Sequence, residues 1–351
     1  MRLALGLGYA GGGLDLDAPA LAQLAEECGY AAVWVAEAYG SDAASVLGWL
    51  GASTQQIGLG SAVFQIPGRT PAMTAMTAAT LDWFSGGRML LGLGVSGPQV
   101  SEGWHGVGFE APLARTREYL AIVRAALNRE LVASPGPYYP LPLPGGAGKA
   151  LKLTVRRTRA HLPIYLAAVG PRNLRLAGEI ADGWLGIFVS PEHSDDIFAA
   201  LRQGRRDAGY GSEDQDPLDG FDAVAAVPVC IHDDLEAARA RIAPHVALYV
   251  GGMGSRAANF YHASATRMGF GDAAGQIQEL YLSGRPREAA DAVPLDLVDA
   301  VALIGPHERI RERMRRYAAA GVTTLTVNPV GAVGEEREAI VRTMARLIAD
   351  L

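Results

Sequence analysis

Apolar residues in this chain gather in short unbroken runs, and each run follows an amphipathic stretch that stops at a glycine or a polar turn. Residues 21–27 lead through Cys28-Gly29 into the run 31–36, and residues 43–54 lead into 57–63. Residues 71–84 lead through Gly86-Gly87 into 88–94, and 172–181 through Asp182-Gly183 into 184–188. Residues 309–320 lead through Gly321 into 322–327. Glycine suits the left-handed residue that ends a helix. Apolar runs without alternation suit strands buried on both faces, as in parallel sheets. Further runs at 3–8, 164–168 and 223–229 bring the strands to about eight, which predicts a closed (β/α)8 TIM barrel. An open, doubly wound sheet is the rival with the same alternation.

Two stretches break the rhythm. Residues 131–161 are rich in Pro, Gly and Tyr and then basic at Arg156, Arg157 and Arg159, which predicts an insertion of hairpin character before the fifth strand. Residues 251–300 read as a second, mostly helical insertion. Excursions of this length serve as lids, as oligomer contacts or as plain surface. The chain is read as one barrel domain over 1–351 with these two insertions.

Composition narrows the function classes. With 49% hydrophobic and 19% charged residues among 351, the chain has ample material for a core and none of the marks of disorder. The net charge is −6, and no basic block runs along the sequence. Nucleic acid and anionic membrane surfaces therefore have no electrostatic footprint here. No apolar run approaches the roughly 20 residues of a membrane span. The N-terminus Met1-Arg2-Leu3-Ala4-Leu5-Gly6-Leu7-Gly8 is too short and too glycine-broken for a signal peptide. It is read as the first strand of a cytoplasmic protein, with Cys28 and Cys230 as reduced thiols. Lys149 and Lys152, the two lysines, both lie in a Pro/Gly-rich stretch, which disfavours Schiff-base and pyridoxal chemistry.

The motif G-x-G-x-x-G occurs twice, as Gly6-Leu-Gly8-Tyr-Ala-Gly11 and Gly92-Leu-Gly94-Val-Ser-Gly97. A dinucleotide fingerprint needs a helix that opens within the motif. After Gly11 the next helix waits for Asp17-Ala18-Pro19, and after Gly97 the residues Pro98, Gly103, Gly106 and Gly108 read as a loop. The motifs are read instead as places where backbone approaches a flat ligand. Leu166-Ala-Ala-Val169-Gly170-Pro171-Arg172-Asn173 runs from a strand through Gly-Pro into a helix. Free N–H groups, the helix dipole and Arg172 make an anion site there; a plain proline helix start is the alternative. Arg69, Arg172 and Arg175 read as a basic rim suited to an acidic ligand tail.

Glu37 ends the strand Val33-Trp34-Val35-Ala36, where barrels carry their chemistry. Asp42 and Ser41 suffice to cap the next helix, so Glu37 is expected in the barrel mouth. Trp104-His105 follow the fourth strand, and His105 is a candidate proton donor. No H-x-H, H-E-x-x-H or G-x-S-x-G occurs, so neither a metal site nor a serine-hydrolase elbow is expected.

Taken in order, several segments resemble the bacterial luciferase-like superfamily, and within it coenzyme F420-dependent oxidoreductases of an actinobacterial-type subfamily. They are Trp34-Val-Ala-Glu-Ala-Tyr-Gly40, Gln65-Ile-Pro-Gly-Arg-Thr-Pro-Ala-Met73, residues 81–105, Pro163-Ile-Tyr-Leu-Ala-Ala-Val-Gly-Pro171 and Tyr249-Val-Gly-Gly-Met253. The resemblance runs essentially end to end. It implies a (β/α)8 barrel with insertions, commonly a homodimer, with the deazaflavin lying across the C-terminal ends of the strands. It implies a bulge in the third strand at Ala62-Val63, often with a non-prolyl cis peptide, behind the deazaflavin ring. Gly94, Ser96, Gly97 and Gln99 are further candidates for cofactor contact, and the Val169-Gly170-Pro171 turn with Arg172 and Asn173 for the phosphate. The implied activity is hydride transfer between reduced F420 and a small organic substrate, with Glu37 near the ring and His105 as proton donor. Members that use sugar phosphates carry an Asp-His pair after the second strand. This chain has Glu37-Ala38 there, so its substrate stays open. An FMN-dependent monooxygenase and a flavin- or deazaflavin-binding protein without turnover stay open as alternatives, whereas a barrel hydrolase or isomerase is disfavoured by the missing metal ligands.

Overall fold

The computed structural model describes residues 1–10, 13–212, 214–254, 256 and 259–351. Eight strands form the barrel: β1 (Arg2–Leu7), β2 (Ala32–Val35), β3 (Gly58–Ser61), β4 (Met89–Gly94), β5 (Ile164–Ala167), β6 (Gly183–Ile187), β7 (Asp222–Ile231) and β8 (Thr324–Asn328). Each pairs in parallel with the next, and β8 pairs with β1 through Leu3 opposite Leu325. That closure decides against the open doubly wound sheet. The outer ring consists of α1 (Ala18–Glu27), α2 (Ala43–Ser53), α3 (Pro71–Phe84), α4 (Pro112–Leu127), α5 (Pro171–Ile180), α6 (Asp195–Asp207), α7 (His307–Ala320) and α8 (Glu335–Ala349). Local chemistry marks their ends. Asp42 and Thr70 cap α2 and α3 by accepting from the amides of Ser45 and Met73, and Gly321 ends α7 at φ +108°.

The strand runs fill two different spaces. Val33, Val35, Leu59, Leu91 and Leu93 belong to the large layer between strands and helices. The barrel interior is a separate cluster of Ala4, Ala32, Trp34, Tyr165 and Val224. Trp34 and Tyr165 meet edge to face, with ring centroids 5.0 Å apart. Glycines make room for them: a Cβ on Gly60 would lie 2.1 Å from Trp34 Cε3, and one on Gly183 would lie 2.4 Å from Tyr165 Cε1. Barrel interiors are ordinarily filled by branched aliphatic side chains from every strand. Here two aromatic rings replace several of them, which accounts for glycine at positions 60 and 183. A cavity of about 230 Å³ opens below these rings at the N-terminal end, lined in part by Arg2, Trp34, Tyr165 and Asp222.

After β3 the chain bulges at Ala62-Val63, whose peptide bond is cis. It then rejoins the sheet as Phe64–Gln65, paired with Leu93 and Gly94 at the end of β4. Residues 131–161 double back through isolated antiparallel bridges, Val132 with Leu151 and Ser134 with Leu141. The helical region after β7 starts earlier than the sequence suggests. Helix Leu235–Ala247 runs through Pro244 into a π turn, Leu248–Gly252, so the helical region begins before residue 251. With Phe260–Arg267, Gly271–Leu282, Pro286–Asp291 and Leu295–Val301 it builds its own apolar core, which includes Phe188 and Cys230. Among the described residues, no helix is long and apolar enough to cross a membrane.

Candidate functional site

Glu37 continues the face of Val33 and Val35, which points to the strand–helix layer. Its carboxylate is held at the rim between β2 and β3. Oε1 accepts from Arg69 Nη2 at 2.9 Å and from the Ala43 amide at 3.2 Å, and Oε2 accepts from the Gln65 amide at 3.2 Å. The start of α2 therefore does recruit Glu37 alongside Asp42. Arg69 also bonds Asp42. Burial works against ionisation of Asp42, but the Ser45 hydroxyl and amide and the Arg69 guanidinium hold its carboxyl below the usual range. The buried Gln65 extends the network: its Nε2 donates to Ala38 O at 2.7 Å, and its Oε1 accepts from Ser96 Oγ at 3.1 Å. The ends of β2, β3 and β4 are thereby tied together. The role of Gln65 depends on a bulge that brings it back beside β4, and Arg69, expected on a basic rim, turns to Glu37 and Asp42 instead.

The ends of β3, β4 and β5 form a rim of Ala62-Val63 and the glycines 94, 97 and 170. Val63 lies over Gly94, where a Cβ would sit 2.5 Å from Val63 Cγ2. Ser96 takes φ +60°. The expected loop after Gly97 opens instead with a six-residue helix, Pro98–Gly103, with Gly97 as its N-cap and Gln99 exposed. Proline at the first position starts it, Gly103 is its last residue, and Gly106 and Gly108 follow its end. His105 leaves that helix and packs on Gly68, where a Cβ would sit 2.9 Å from the imidazole Cε1. The His105 Nε2 is buried without a hydrogen-bond partner. Trp104 is exposed.

On β5, Gly170 caps α5, and a Cβ there would meet nothing within 4 Å. Asn173 donates through Nδ2 to Ala167 O at 3.3 Å, and its Oδ1 is buried without a partner. Val169 is half-buried and Arg172 exposed. The basic rim is reduced to Arg172: Arg69 is spent on Glu37 and Asp42, and Arg175 on Asp207 at 2.5 Å. Gly11, the end of the first glycine motif, lies outside the described residues. Among the described residues, no cluster of His, Cys, Asp and Glu could hold a metal ion.

Facing the glycine rim is an aromatic wall that the sequence reading did not assemble. Tyr9 after β1 and Tyr39 after β2 have ring centroids 6.4 Å apart. Phe188, at φ +59° directly after β6, meets Tyr249 at 5.5 Å and Tyr261 at 5.6 Å. His245 lies 4.7 Å from Tyr249. Burial pushes its pKa down to about 4, so the imidazole is neutral at pH 7. Aromatic residues placed just past three strand ends were the available signal.

The luciferase-like monooxygenase family matches residues 15–324. A Mycobacterium tuberculosis protein that carries the name coenzyme F420-dependent oxidoreductase is 46% identical, over 93% of this chain and 94% of its own length. The 5,10-methylenetetrahydromethanopterin reductase of Methanolobus tindarius is 34% identical over 64% of each chain. Among solved structures, the coenzyme F420-dependent tetrahydromethanopterin reductase of Methanopyrus kandleri superposes with a TM-score of 0.83 at 24% identity, covering 99% of this chain and 98% of that one. An F420-dependent secondary alcohol dehydrogenase superposes with a TM-score of 0.78 at 16% identity, over 99% and 98%. The closed barrel, the bulge after β3 and the match over most of the chain lead to one conclusion: this protein belongs to the luciferase-like monooxygenase family.

Proposed function

We propose that the chain is a coenzyme F420-dependent oxidoreductase that moves hydride between the deazaflavin and a small organic substrate. The observation that carries the reading is the glycine rim on β3, β4 and β5, flanked by two buried polar atoms without protein partners, His105 Nε2 and Asn173 Oδ1. A buried polar atom left unpaired costs about 1–3 kcal/mol, and in this reading a bound ligand supplies the missing partners. The name of the relative at 46% identity supports the same cofactor.

When bound, F420 supplies two-electron hydride chemistry. In this reading Ala62 and Val63 back the ring, and Gly94, Ser96, Gly97 and Gln99 border it. Val169, Gly170, Pro171, Arg172 and Asn173 hold the phosphate at the start of α5. Glu37 fixes Gln65 and through it Ser96, so it acts by positioning the rim. His105 gives the proton that a substrate oxygen takes up when its carbon is reduced, and solvent reprotonates it. The two free cysteines suit a reducing, cytoplasmic setting.

The partner is proposed to be a second copy of the chain. Together α2 and α3 carry one charged side chain, Asp82, and it is buried. Their outer face exposes Trp49, Met73, Met76, Trp83 and Phe84 instead, an apolar patch of the kind that marks a protein interface.

Fluorescence titration tests the cofactor. F420 is expected to bind at least tenfold tighter than FMN, a difference of about 1.4 kcal/mol. Gly170→Val, which has room for its side chain, is expected to fold normally and to bind F420 at least tenfold more weakly. FMN binding as tight as F420 refutes the assignment, and a Gly170→Val protein with normal affinity moves the phosphate elsewhere.

A further inference from the structure

The two sides of the barrel mouth differ in chemistry. The side on β3–β5 is built from Ala62-Val63, the glycines 94, 97 and 170, and Ser96. The side on β1, β2, β6 and the helical insertion is built from aromatic rings. Tyr9, Tyr249 and Tyr281 are half-buried, and Tyr39 is 57% exposed, so this wall faces an opening. Among the described residues, the hydroxyls of Tyr9, Tyr39, Tyr249 and Tyr281 have no hydrogen-bond partner. The π turn Leu248–Gly252 sets Tyr249 on the wall, and Gly252 lets Tyr281 pack close, since a Cβ there would lie 2.4 Å from Tyr281 Cε1.

The phenols of this wall feel burial and one another. Burial raises the pKa of Tyr9, with Tyr39 and Tyr281 adding to it; burial and then Tyr261 and Tyr9 do the same for Tyr249. Tyr281 is raised by burial and Tyr39, and Tyr261 is pushed up to about 12 by burial alone. Elsewhere tyrosines feel ions: Tyr165 is raised by burial and then by Asp222. Among the described residues, no hydrogen bond, ion pair or cation–π contact joins an Asp, Glu, Lys or Arg side chain to the rings or hydroxyls of Tyr9, Tyr39, Tyr249, Tyr261 or Tyr281. Among the described residues, the wall thus has no cation in contact with its phenols to hold a carboxylate or phosphate. Neutral phenols offer O–H donors to a carbonyl oxygen and flat faces to a π system.

We infer that the substrate side of the mouth takes an uncharged, planar, conjugated carbonyl compound, such as an aryl ketone, stacked on the accessible Tyr9 and Tyr39 rings with its oxygen bonded by the phenols of the wall. The assignment of a reducible substrate rests on the oxidoreductase reading above; the recognition chemistry rests on the wall.

The test is equilibrium binding to the full chain without added cofactor, by isothermal titration. The probes are 2-acetylnaphthalene, its 6-sulfonate and acetylcyclohexane. The neutral aryl ketone is expected to bind at least tenfold tighter than either the anion or the non-planar ketone. Tyr39→Ala, at an exposed position that tolerates truncation, is expected to weaken it at least threefold. Tyr249→Phe, which keeps the ring, is expected to weaken it as well. Equal binding of the neutral and sulfonated probes overturns the inference, as does unchanged affinity in both variants. F420 is titrated separately into the same proteins. A wild type that fails to bind F420 but binds the ketone sinks the cofactor assignment and leaves the wall standing.

Discussion

Glu37→Gln tests how the rim is held. In the wild type, two carboxylate oxygens accept three N–H donors, from Ala43, Gln65 and Arg69. The amide has one acceptor oxygen. Whichever way it turns, its NH2 faces a donor, either the Gln65 amide or the Arg69–Ala43 pair. Glu37 and Arg69 side chains are 10% and 16% exposed, so water does little to repair the mismatch. One hydrogen bond to a charged acceptor is worth about 1.5–3 kcal/mol, and a stranded buried N–H costs about 1–3 kcal/mol. Asp42 remains as a partner for Arg69 and keeps the loss below the full cost of breaking a buried ion pair. The expected net is about 2–4 kcal/mol. At roughly 2 °C per kcal/mol for a chain of this size, the thermal midpoint falls by about 4–8 °C, measured by far-ultraviolet circular dichroism at pH 7. Arg69→Met added to Glu37→Gln is expected to cost less than the sum of the two single changes, because they share one contact. A Glu37→Gln protein that keeps its midpoint while losing about a hundredfold in turnover refutes the clasp and makes Glu37 an acid–base group.

Three further outcomes follow from the structure. Burial pushes the Glu26 pKa upward, but the amides of Ile57, Gln56 and Gln55 and the Arg88 guanidinium hold it below the usual carboxylate range. A depressed folded-state pKa gives stability that is present above the unfolded value and lost as pH falls through the folded one; Glu26→Gln is therefore expected to flatten the fall in thermal midpoint below about pH 4.5, and parallel curves would count against it. Gly60→Ala is expected to cost about 1–3 kcal/mol by overpacking, because the new Cβ would meet the Trp34 ring at 2.1 Å; a denaturant midpoint equal to wild type would disprove the interlock. Met76→Glu puts a charge on the exposed apolar face of α3 and is expected to turn a dimer into a monomer by light scattering. A dimer that survives it lies on another face.

The fold was legible because the strand runs are unbroken: residues 88–94 are apolar or glycine after Arg88, and β4 spans Met89–Gly94. Helix ends at Gly29 and Gly321 were equally readable, since both adopt positive φ. The rim was half legible. Gly94, Gly97 and Gly170 stand at strand ends, as their glycine patterns suggest. The direction of Glu37 was encoded in strand alternation, which groups it with Val35 and hence with the helix side. The basic rim misled because a sequence displays charges without their partners, and Asp42 and Asp207 claim two of the three arginines. The aromatic wall was hidden by distance: Phe188 and Tyr249 meet only after the insertion folds back onto the barrel.

The pairing of one indole with surrounding glycines restricts the routes by which this sequence can drift. Trp34 fills the space that Gly60 leaves empty, so enlarging position 60 while the indole remains produces a collision. Shrinking position 34 while the glycine remains leaves a void that β-strand backbone cannot collapse into. Either order passes through a weakened protein, and the two losses should cancel in part when both changes are made together. The interior of the barrel therefore behaves as a linked genetic unit, in which descendants that exchange the indole for aliphatic packing must first carry a stability surplus from elsewhere in the chain.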